Sequence, residues 1–287
     1  MMKIRNLDIK NIHLEGESDL PFVGINKNNF KLGIEILMKF PKNYPAVLEK
    51  AWGASAQNAL EYAQEANKKK SDFLAVKFNI EENDLKDIDK YLEMLQEIEK
   101  ISSKPLIVTG SDIDEVDEII LPKITQTLQN PAIIGNFCEK TYKKTLNNFE
   151  KHKIIARTPI DINLAKELNI LLSDAGVSLD NILIDTTIGA LGYGLDYAYS
   201  VIERIKQAAL SGDEYLNMPI ISFVGEEVYK SKETKSADYT PSWGKIDERA
   251  IMWEVATAGA FMAAGSNVLI VRHPKTLSTL NKLVAKG

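Results

Sequence analysis

The sequence predicts an α/β fold, a single (β/α)8 TIM barrel, and three observations lead to this prediction. Short β-type runs alternate with helical patterns along all 287 residues. Most of these β-type runs are continuously apolar, which is typical of parallel strands buried on both faces. Eight strand–helix units fill a chain of this length, as they do in a (β/α)8 barrel. A doubly wound open sheet is the alternative, because the same units build it.

The predicted elements follow one another in regular order. The predicted strands are 33–38, 73–79, 106–109, 132–136, 153–157, 182–185, 220–224 and 268–272. The helical patterns lie at about 44–69, 85–100, 112–128, 139–151, 161–175, 194–211, 248–264 and from about 275 onward. Asp161 and the pair Ser111-Asp112 stand where helix caps belong. Residues 1–31 are predicted to form a short N-terminal extension, and residues 32–287 the barrel domain.

The connection after the seventh predicted strand is unusually long. It runs from Glu226 to about Asp247, whereas such loops usually span about two to six residues. It is rich in charged residues and carries Tyr229, Tyr239 and Trp243. A long loop with aromatic anchors at the ligand-binding end of a barrel favours a lid or a partner-docking element. A mobile surface insertion is the alternative.

Composition narrows the classes of function. The formal net charge of −5 and the pI near 5.5 argue against a nucleic-acid or anionic-membrane surface. The single cysteine, Cys138, excludes an internal disulfide and an iron–sulfur cluster held by this chain alone. His13, His152 and His273 lie too far apart for zinc-type spacing. Without a signal-peptide core or a bilayer-length apolar stretch, a cytoplasmic location is expected.

The segment 182–204 carries the strongest site signal. An apolar strand ends at Asp185, a loop with Gly189, Gly192 and Gly194 follows, and a helix begins at once. In α/β proteins, this succession builds the floor of a ligand site, and glycines permit close backbone approach. The order G-x-x-G-x-G matches neither the dinucleotide fingerprint nor a phosphate loop. The loop is therefore predicted to bind a ligand whose class its motif does not identify.

The carboxyl ends of the predicted strands form the rest of the candidate site, because barrels bind ligands there. These positions are Asn79, Thr109, Asn136, Arg157, Asp185, Thr186, Thr187, Gly225, Arg272 and His273. The set is polar and nearly charge-balanced. It indicates a rim for a polar ligand and not a hydrolytic centre.

Several of these residues have more than one interpretation. Asp185 fits a general base, an acceptor for a ligand amide, or an organiser of its own loop. His273 fits a ligand contact or a cap of the strand end beside Arg272. The acidic run 112–118 is interpreted as a solvated helix start that complements the helix dipole. Trp253 is interpreted as packing between a helix and the barrel.

Three segments carry a resemblance to a known family: IIARTPIDINLAKELNIL at 154–171, the opening segment extended through GALGYGLDYAYSVIERIKQAALSGD to residue 213, and WGKIDERAIMWEVATA with VRHP within 243–274. The chain resembles the small, TIM-barrel delta subunit of the corrinoid iron–sulfur protein of the acetyl-CoA decarbonylase/synthase system. The similarity runs from about residue 32 to 280. Ala190, Thr186 and Ala250 depart from the glycine, proline and glycine expected of the family.

The resemblance implies a function in the reductive acetyl-CoA pathway. It implies a heterodimer with a large subunit that holds the 4Fe-4S cluster and the corrinoid domain, with cobalamin at the interface. The complex takes a methyl group from methyltetrahydrofolate through a methyltransferase and passes it to acetyl-CoA synthase, with no turnover expected of this chain alone. The implied cofactor contacts are Asp185, Thr187, Gly189, Gly192, Tyr193 and Gly194, with Asn136, Arg157, Arg272 and His273 on the same rim; no catalytic or metal-binding residue is assigned.

Two rival hypotheses remain open. One is a pterin-binding methyltetrahydrofolate:corrinoid methyltransferase, since such enzymes also use barrels. The other is a purely structural scaffold.

Overall fold

The computed structural model describes residues 5–15 and 30–284. Its strands are β1 (Asn6–Ile9), β2 (Ile12–Glu15), β3 (Lys31–Leu37), β4 (Phe73–Lys77), β5 (Leu106–Thr109), β6 (Ile133–Phe137), β7 (Lys153–Arg157), β8 (Ile182–Asp185), β9 (Ile221–Ser222) and β10 (Val268–Val271). Its α-helices are α1 (Ala46–Trp52), α2 (Ala59–Asn67), α3 (Ile88–Ile101), α4 (Asp114–Thr127), α5 (Tyr142–Thr145), α6 (Ile162–Asp174), α7 (Leu195–Leu210), α8 (Val224–Val228), α9 (Ile246–Ala264) and α10 (Pro274–Val284).

Eight parallel strands close into a barrel. Within the described residues, the order of the sheet is β8-β7-β6-β5-β4-β3-β10-β9. A parallel bridge between Ile184 and Ile220 joins the two ends, and the Ile184 amide donates to the Pro219 carbonyl at 2.9 Å. This closure confirms the predicted barrel and excludes the open sheet. It places the carboxyl ends of all eight strands on one side, called the top face below.

The N-terminal hairpin β1–β2 covers the opposite end of the barrel. Its apolar side chains form one buried cluster with side chains from the barrel strands, including Phe73 and Ile133. The hairpin side chains in this cluster are Leu7, Ile9, Ile12 and Leu14. The alternation of polar and apolar residues in 6–9 therefore reflects a two-stranded ribbon with one buried face. Residues 1–4 and 16–29 of the predicted extension lie outside the described residues.

The predicted strands are correct to within two residues at each end, and three of them match in full. The predicted helix 44–69 is wrong in its continuity, because Gly53–Gln57 form a 3-10 turn between α1 and α2. The predicted helix 139–151 is also wrong: only Tyr142–Thr145 is helical. The predicted long loop begins later than expected, because Glu226 lies within α8, and it ends where α9 begins at Ile246.

In the described ranges, no helix combines the length and the hydropathy that crossing a membrane requires.

Candidate functional site

A network of ion pairs, partly buried and partly exposed, occupies the top face. Arg157, the last residue of β7, lies at its centre: Nε donates to Oδ2 of Asp185 at 2.6 Å, and Nη1 donates to Oδ1 of Asp112 at 2.8 Å. Its Nη2 atom lies 3.6 Å from Oε2 of Glu226. Lys77, at the end of β4, pairs with Asp112 and lies 3.7 Å from the same Glu226 oxygen. Residues from three strand ends, one loop and α8 are thereby held in one arrangement.

Burial sets the electrostatics of this network. Burial raises the pKa of the Asp185 carboxyl, while the charge and the hydrogen bond of Arg157 oppose that rise. Burial alone would also raise the pKa of Glu226, but Lys77 and Arg157 hold it well below its ordinary value. Arg157 keeps its charge, because Asp185 and Glu226 raise its pKa against the effect of burial. The guanidinium also lies 5.0 Å from the centre of the Phe223 ring.

A second group of contacts shapes the rim at β10. Arg272 pairs with Glu35, which is buried within β3. The carboxylate of Glu254 accepts from the backbone amides of Arg272 at 2.7 Å and His273 at 3.3 Å, and burial raises its pKa to about 7. His273 is buried, its Nδ1 accepts from the Lys275 amide at 3.0 Å, and burial lowers its pKa to about 4. His273 therefore caps the start of α10 and not the end of β10, and its predicted ligand contact stays a prediction.

Asp185 organises the loop that follows it. Its Oδ1 atom accepts from the Thr187 amide at 2.9 Å, and its Oδ2 atom accepts from Arg157. Thr187 has a φ of 49°, so the loop turns sharply at this residue. Both carboxylate oxygens are thus engaged within the chain. The structure therefore gives Asp185 a positioning role in its own loop.

The three glycines of the loop meet two separate requirements. A Cβ atom on Gly189 would lie 2.2 Å from the carbonyl oxygen of Tyr193, because the loop folds onto itself there. Gly192 and Gly194 have φ values of 78° and 82°, which favour glycine. A Cβ on Gly192 would also stand 3.8 Å from the Trp253 ring. The loop geometry alone accounts for the glycine spacing.

Aromatic side chains reach solvent beside this loop. Tyr193 is about half exposed, and its hydroxyl donates to Glu233 at 3.4 Å. Tyr197, in the first turn of α7, is 71% exposed. The loop from Thr187 to Gly194 thus presents backbone and aromatic surface next to the ion-pair network.

A cavity of about 310 Å³ opens on the top face beside Arg157. Its lining residues come from the starts of α4 and α5, the ends of β6 and β7, the glycine loop and α8; they are Asp112, Asp114, Asp117, Asn136, Cys138, Thr141, Arg157, Thr187, Glu226, Glu227 and Lys230. Asn136 donates from Nδ2 to Oδ1 of Asp112 at 2.9 Å. Among the described residues, neither Oδ1 of Asn136 nor Oε2 of Glu226 has a hydrogen-bond partner.

The connection between α8 and α9 is anchored to the barrel. The buried guanidinium of Arg249 donates to three of its carbonyls: those of Glu233 at 2.7 Å, Gly244 at 3.0 Å and Ser236. Tyr229 is buried, and its hydroxyl donates to Glu254 at 3.3 Å. These bonds tie the loop to the rim that Glu254 organises.

An aromatic stack continues from this loop onto α9. The rings of Tyr239 and Trp243 lie 5.3 Å apart, and those of Trp243 and Trp253 lie 5.7 Å apart. The indole of Trp253 donates to the carbonyl of Leu191 in the glycine loop at 3.1 Å. Trp253 therefore packs against the barrel as predicted, and it also connects the two loops.

The structure brings Asn136, Arg157 and Asp185 into one network, as the strand-end argument predicted, and adds four charged residues that the argument missed. Lys77, Asp112 and Glu226 belong to this network, and Glu35 pairs with Arg272 in the neighbouring group of contacts at β10. A signal for two of them was present: Glu35 and Lys77 interrupt the apolar strands KLGIEIL and FLAVK. A charged residue inside a buried strand requires a partner.

The interpretation of 112–118 as a solvated helix start is wrong for two of its acids. The helix begins at Asp114, and Asp112, with a φ of 66°, directs its carboxylate to Lys77 and Arg157. Asp117 is buried and accepts from the amide of Ser111 at 2.6 Å, and burial raises its pKa. Both acids hold the loop that borders the cavity.

Across residues 5–15 and 30–284, the structure places no group of three or more His, Cys, Asp and Glu residues suited to a metal ion.

The fold and the site define a TIM-barrel protein with a polar, internally paired top face. Solved structures of this architecture include dihydropteroate synthase from Yersinia pestis in a sulfonamide drug complex, which is 11% identical with a TM-score of 0.62 and covers 98% of both chains. Dihydropteroate synthase from Xanthomonas albilineans with 4-aminobenzoic acid is 10% identical with a TM-score of 0.61, again over 98% of both chains. These similarities establish the barrel fold alone.

The sequence assigns the family. The model of the CO dehydrogenase/acetyl-CoA synthase delta subunit family matches residues 10–284, and the chain belongs to that family. The acetyl-CoA decarbonylase/synthase complex subunit delta of Archaeoglobus fulgidus is 31% identical over 202 residues, which cover 67% of this chain and 44% of that protein. Subunit delta 2 of Methanosarcina acetivorans is 25% identical over 298 residues, covering 96% of this chain and 66% of that protein. The chain thus spans about half to two thirds of the length of these two relatives.

Proposed function

We propose that this chain is a corrinoid-covering subunit: it holds and shields cobalamin with its top face while a methyl group passes from methyltetrahydrofolate, through a methyltransferase, to acetyl-CoA synthase. Membership of the delta-subunit family over residues 10–284 carries the proposal. The geometry supports the choice of face. The charged groups of the top face pair with one another within the chain, so a large neutral ligand meets a rigid polar surface.

The residues of the top face fit such a ligand. A corrin ring carries peripheral carboxamides, whose N–H groups need acceptors. The carbonyl oxygen of Asn136 and one carboxylate oxygen of Glu226 are buried acceptors that lack hydrogen-bond partners among the described residues. The loop from Thr187 to Gly194 adds backbone groups and the exposed ring of Tyr193.

The remaining predicted residues support this surface from below. Asp185 and Arg157 fix the first turn of the loop, and Arg272 and His273 hold the rim through Glu254.

When bound, the corrinoid supplies a cobalt centre that accepts a methyl group and passes it on. The chain's own residues orient the ring and exclude water from it, which protects a reactive metal centre. Since both oxygens of Asp185 are engaged, no proton transfer is assigned to it.

The outward face of α9 supports a partner subunit. The positions on this face are Met252, Ala256, Gly259, Ala260 and Ala263. A helix that is apolar on its outer side as well as its inner side is normally buried. Met252 is 58% exposed and borders a groove of about 580 Å³ lined also by Leu191 and Trp243. We assign this face to the large corrinoid and iron–sulfur subunit; the relatives are themselves named as subunits of a complex.

Co-expression with the large subunit tests the proposal. The heterodimer is expected to co-purify with a corrinoid absorption spectrum. Met252→Glu places a charge in the proposed interface. It is expected to weaken assembly at least about tenfold, because burying an unpaired charge costs several kcal/mol. Ile119→Glu, on the exposed side of α4, is the matched control and should assemble normally. Equal effects of the two changes would contradict the assignment of α9.

A methyltransferase with its own turnover is the second candidate, and the 310 Å³ cavity favours it, because that volume suits a small substrate. The chain alone would then methylate free cobalamin from methyltetrahydrofolate. Absence of turnover together with tight assembly with the large subunit rejects this candidate. Tyr193→Ala in the heterodimer distinguishes the scaffold hypothesis from the corrinoid-covering function. Unchanged methyl transfer supports a scaffold, and loss of methyl transfer supports the corrinoid-covering function.

A further inference from the structure

The cavity beside Arg157 has features of a specific binding site beyond a general contact surface. Asn136, at the end of β6, is only 5% exposed, and its Nδ2 group is held by Asp112 at 2.9 Å. That bond fixes the orientation of the amide and leaves its Oδ1 atom without a partner among the described residues. A buried acceptor of this kind requires a donor from outside the described chain, because burial without a hydrogen bond is costly.

Glu226 supplies a second acceptor to the same cavity. It is 8% exposed, and its Oε1 atom accepts a long hydrogen bond from Nζ of Lys230 at 3.5 Å. Its Oε2 atom lies 3.7 Å from Lys77 and 3.6 Å from Arg157, close enough for charge compensation but beyond hydrogen-bond distance. The charge of this carboxylate is therefore balanced, while its Oε2 atom has no hydrogen-bond partner among the described residues.

The surroundings select the class of ligand. The acids of the lining outnumber its two cations, Arg157 and Lys230, so the cavity disfavours phosphates and carboxylates. At the Oε2 atom of Glu226 itself, Lys77 at 3.7 Å and Arg157 at 3.6 Å disfavour the binding of a cation. The volume of about 310 Å³ admits a carboxamide arm or a small ring system but not a whole corrin.

We infer that this cavity binds a neutral group with N–H donors, a carboxamide or an amino-substituted heterocycle, through Oδ1 of Asn136 and Oε2 of Glu226. Two sources offer this chemistry: a carboxamide arm of the corrinoid, which rests on the proposed function, and a free amino-heterocycle, which does not. In both cases Glu226 and Asn136 determine specificity, because they accept hydrogen bonds from the N–H groups of the ligand and do not contact the rest of it.

Two matched pairs of probes test this inference by calorimetric titration of the full chain, alone and with its large subunit. Cobinamide, which carries carboxamides, is compared with a corrinoid whose amides are hydrolysed to carboxylates. Pterin, which carries a 2-amino group, is compared with lumazine, in which oxygen replaces it. We expect the member that carries the carboxamides or the 2-amino group to bind about tenfold or more tightly than its analogue in at least one pair, because the analogue presents an oxygen acceptor at that position. The pair that discriminates identifies the source.

Cys138 provides a readout that needs no variant. It lines the cavity, and it is the only cysteine in the sequence. A bound probe is expected to slow its alkylation by iodoacetamide about tenfold or more, whereas the matched analogue leaves the rate unchanged.

Glu226→Gln tests the acceptor directly, with Glu97→Gln on the surface of α3 as the control for the same change of charge. The first change should weaken binding about tenfold or more, and the second should leave it unchanged. Equal binding within both probe pairs, or no binding and no protection of Cys138 by any probe, would overturn the inference. Assembly with the large subunit is scored separately by co-purification, so failure here is distinguishable from failure of the proposed function.

Discussion

The two ends of the barrel are built from opposite chemistry. At the lower end, the β1–β2 hairpin closes the barrel with leucine and isoleucine side chains that pack on Phe73 and Ile133. At the top face, Arg157 forms ion pairs with the buried carboxylates of Asp185 and Glu226. Apolar packing contributes directly to stability, whereas a buried ion pair at best offsets its own desolvation. The lower end therefore stabilises the fold, whereas the binding function proposed for the top face comes at a cost in stability.

Arg157→Met is expected to have the largest effect, because it breaks the charge balance of the top face. It leaves Asp185 and Glu226 without their shared partner, so the free energy of unfolding should fall by about 3–5 kcal/mol. Denaturant titration measures this loss. Arg204→Met, on the exposed side of α7, should change stability by less than about 0.5 kcal/mol. Equal values for the two variants would show that the network is not a coupled unit.

Leu14→Ala tests the lower end, where the effect should fall on stability alone. Leu14 is fully buried in the hairpin cluster, so its truncation should cost about 3 kcal/mol in denaturant titration. Leu283→Ala, at a half-exposed position of α10, is the control and should cost less than about 0.5 kcal/mol. Probe binding at the top face should be unchanged in folded Leu14→Ala protein. A loss of binding there would remove the separation between the two ends.

Lys206 sharpens the comparison, because it is a buried cation near the lower end. Its amino group donates to Oδ1 of Asn267 at 3.3 Å, and burial lowers its pKa to about 7. The unfolded chain holds this proton up to about pH 10.5, so its contribution to stability rises from pH 7 upward and is lost as the pH falls through 7. Between pH 7 and 9, the wild type should gain about 2 kcal/mol relative to Lys206→Met. Parallel pH–stability curves for the two proteins would contradict this assignment.

Two glycine substitutions should give the smallest effects, with opposite signs. Gly189→Ala pushes a methyl group into the backbone of Tyr193 and Gly194, and should destabilise the protein by about 1–2 kcal/mol. Gly259→Ala, in α9, places its methyl group where no described atom lies within 4 Å, and should stabilise by about 0.5–1 kcal/mol. Thermal unfolding compares them. A neutral Gly189→Ala would mean that the loop rearranges easily.

Much of the barrel could be predicted from the sequence, because continuous apolar strands and intervening helices are local signals. The strand ending at Asp185 and the cap formed by Asp161, which accepts from Asn163 and Leu164 amides, are examples. Short elements were predicted less accurately from the sequence. The segment 139–151 has helix-forming residues, yet tertiary packing leaves only Tyr142–Thr145 helical. Local propensity does not encode where such a segment ends.

The candidate site was harder to predict, because its partners are distant in sequence. Asp112 and Arg157 are 45 residues apart and meet only through barrel closure. Asp112 also belongs to an acidic run whose pattern is indistinguishable from an ordinary helix start. Glycine spacing, in contrast, correctly indicated the turns of the loop at Gly192 and Gly194, while the ligand contact predicted for this loop stays a prediction.

Hydrogen–deuterium exchange of the heterodimer, with and without bound corrinoid, tests the central claim most directly. If the top face covers the corrinoid, backbone amides of residues 186–194 should exchange at least about tenfold more slowly when the corrinoid is present, while the hairpin amides at 6–15 stay unchanged. Unchanged exchange in 186–194, with protection confined to α9, would contradict the account: the chain would then hold its partner without contacting the corrinoid.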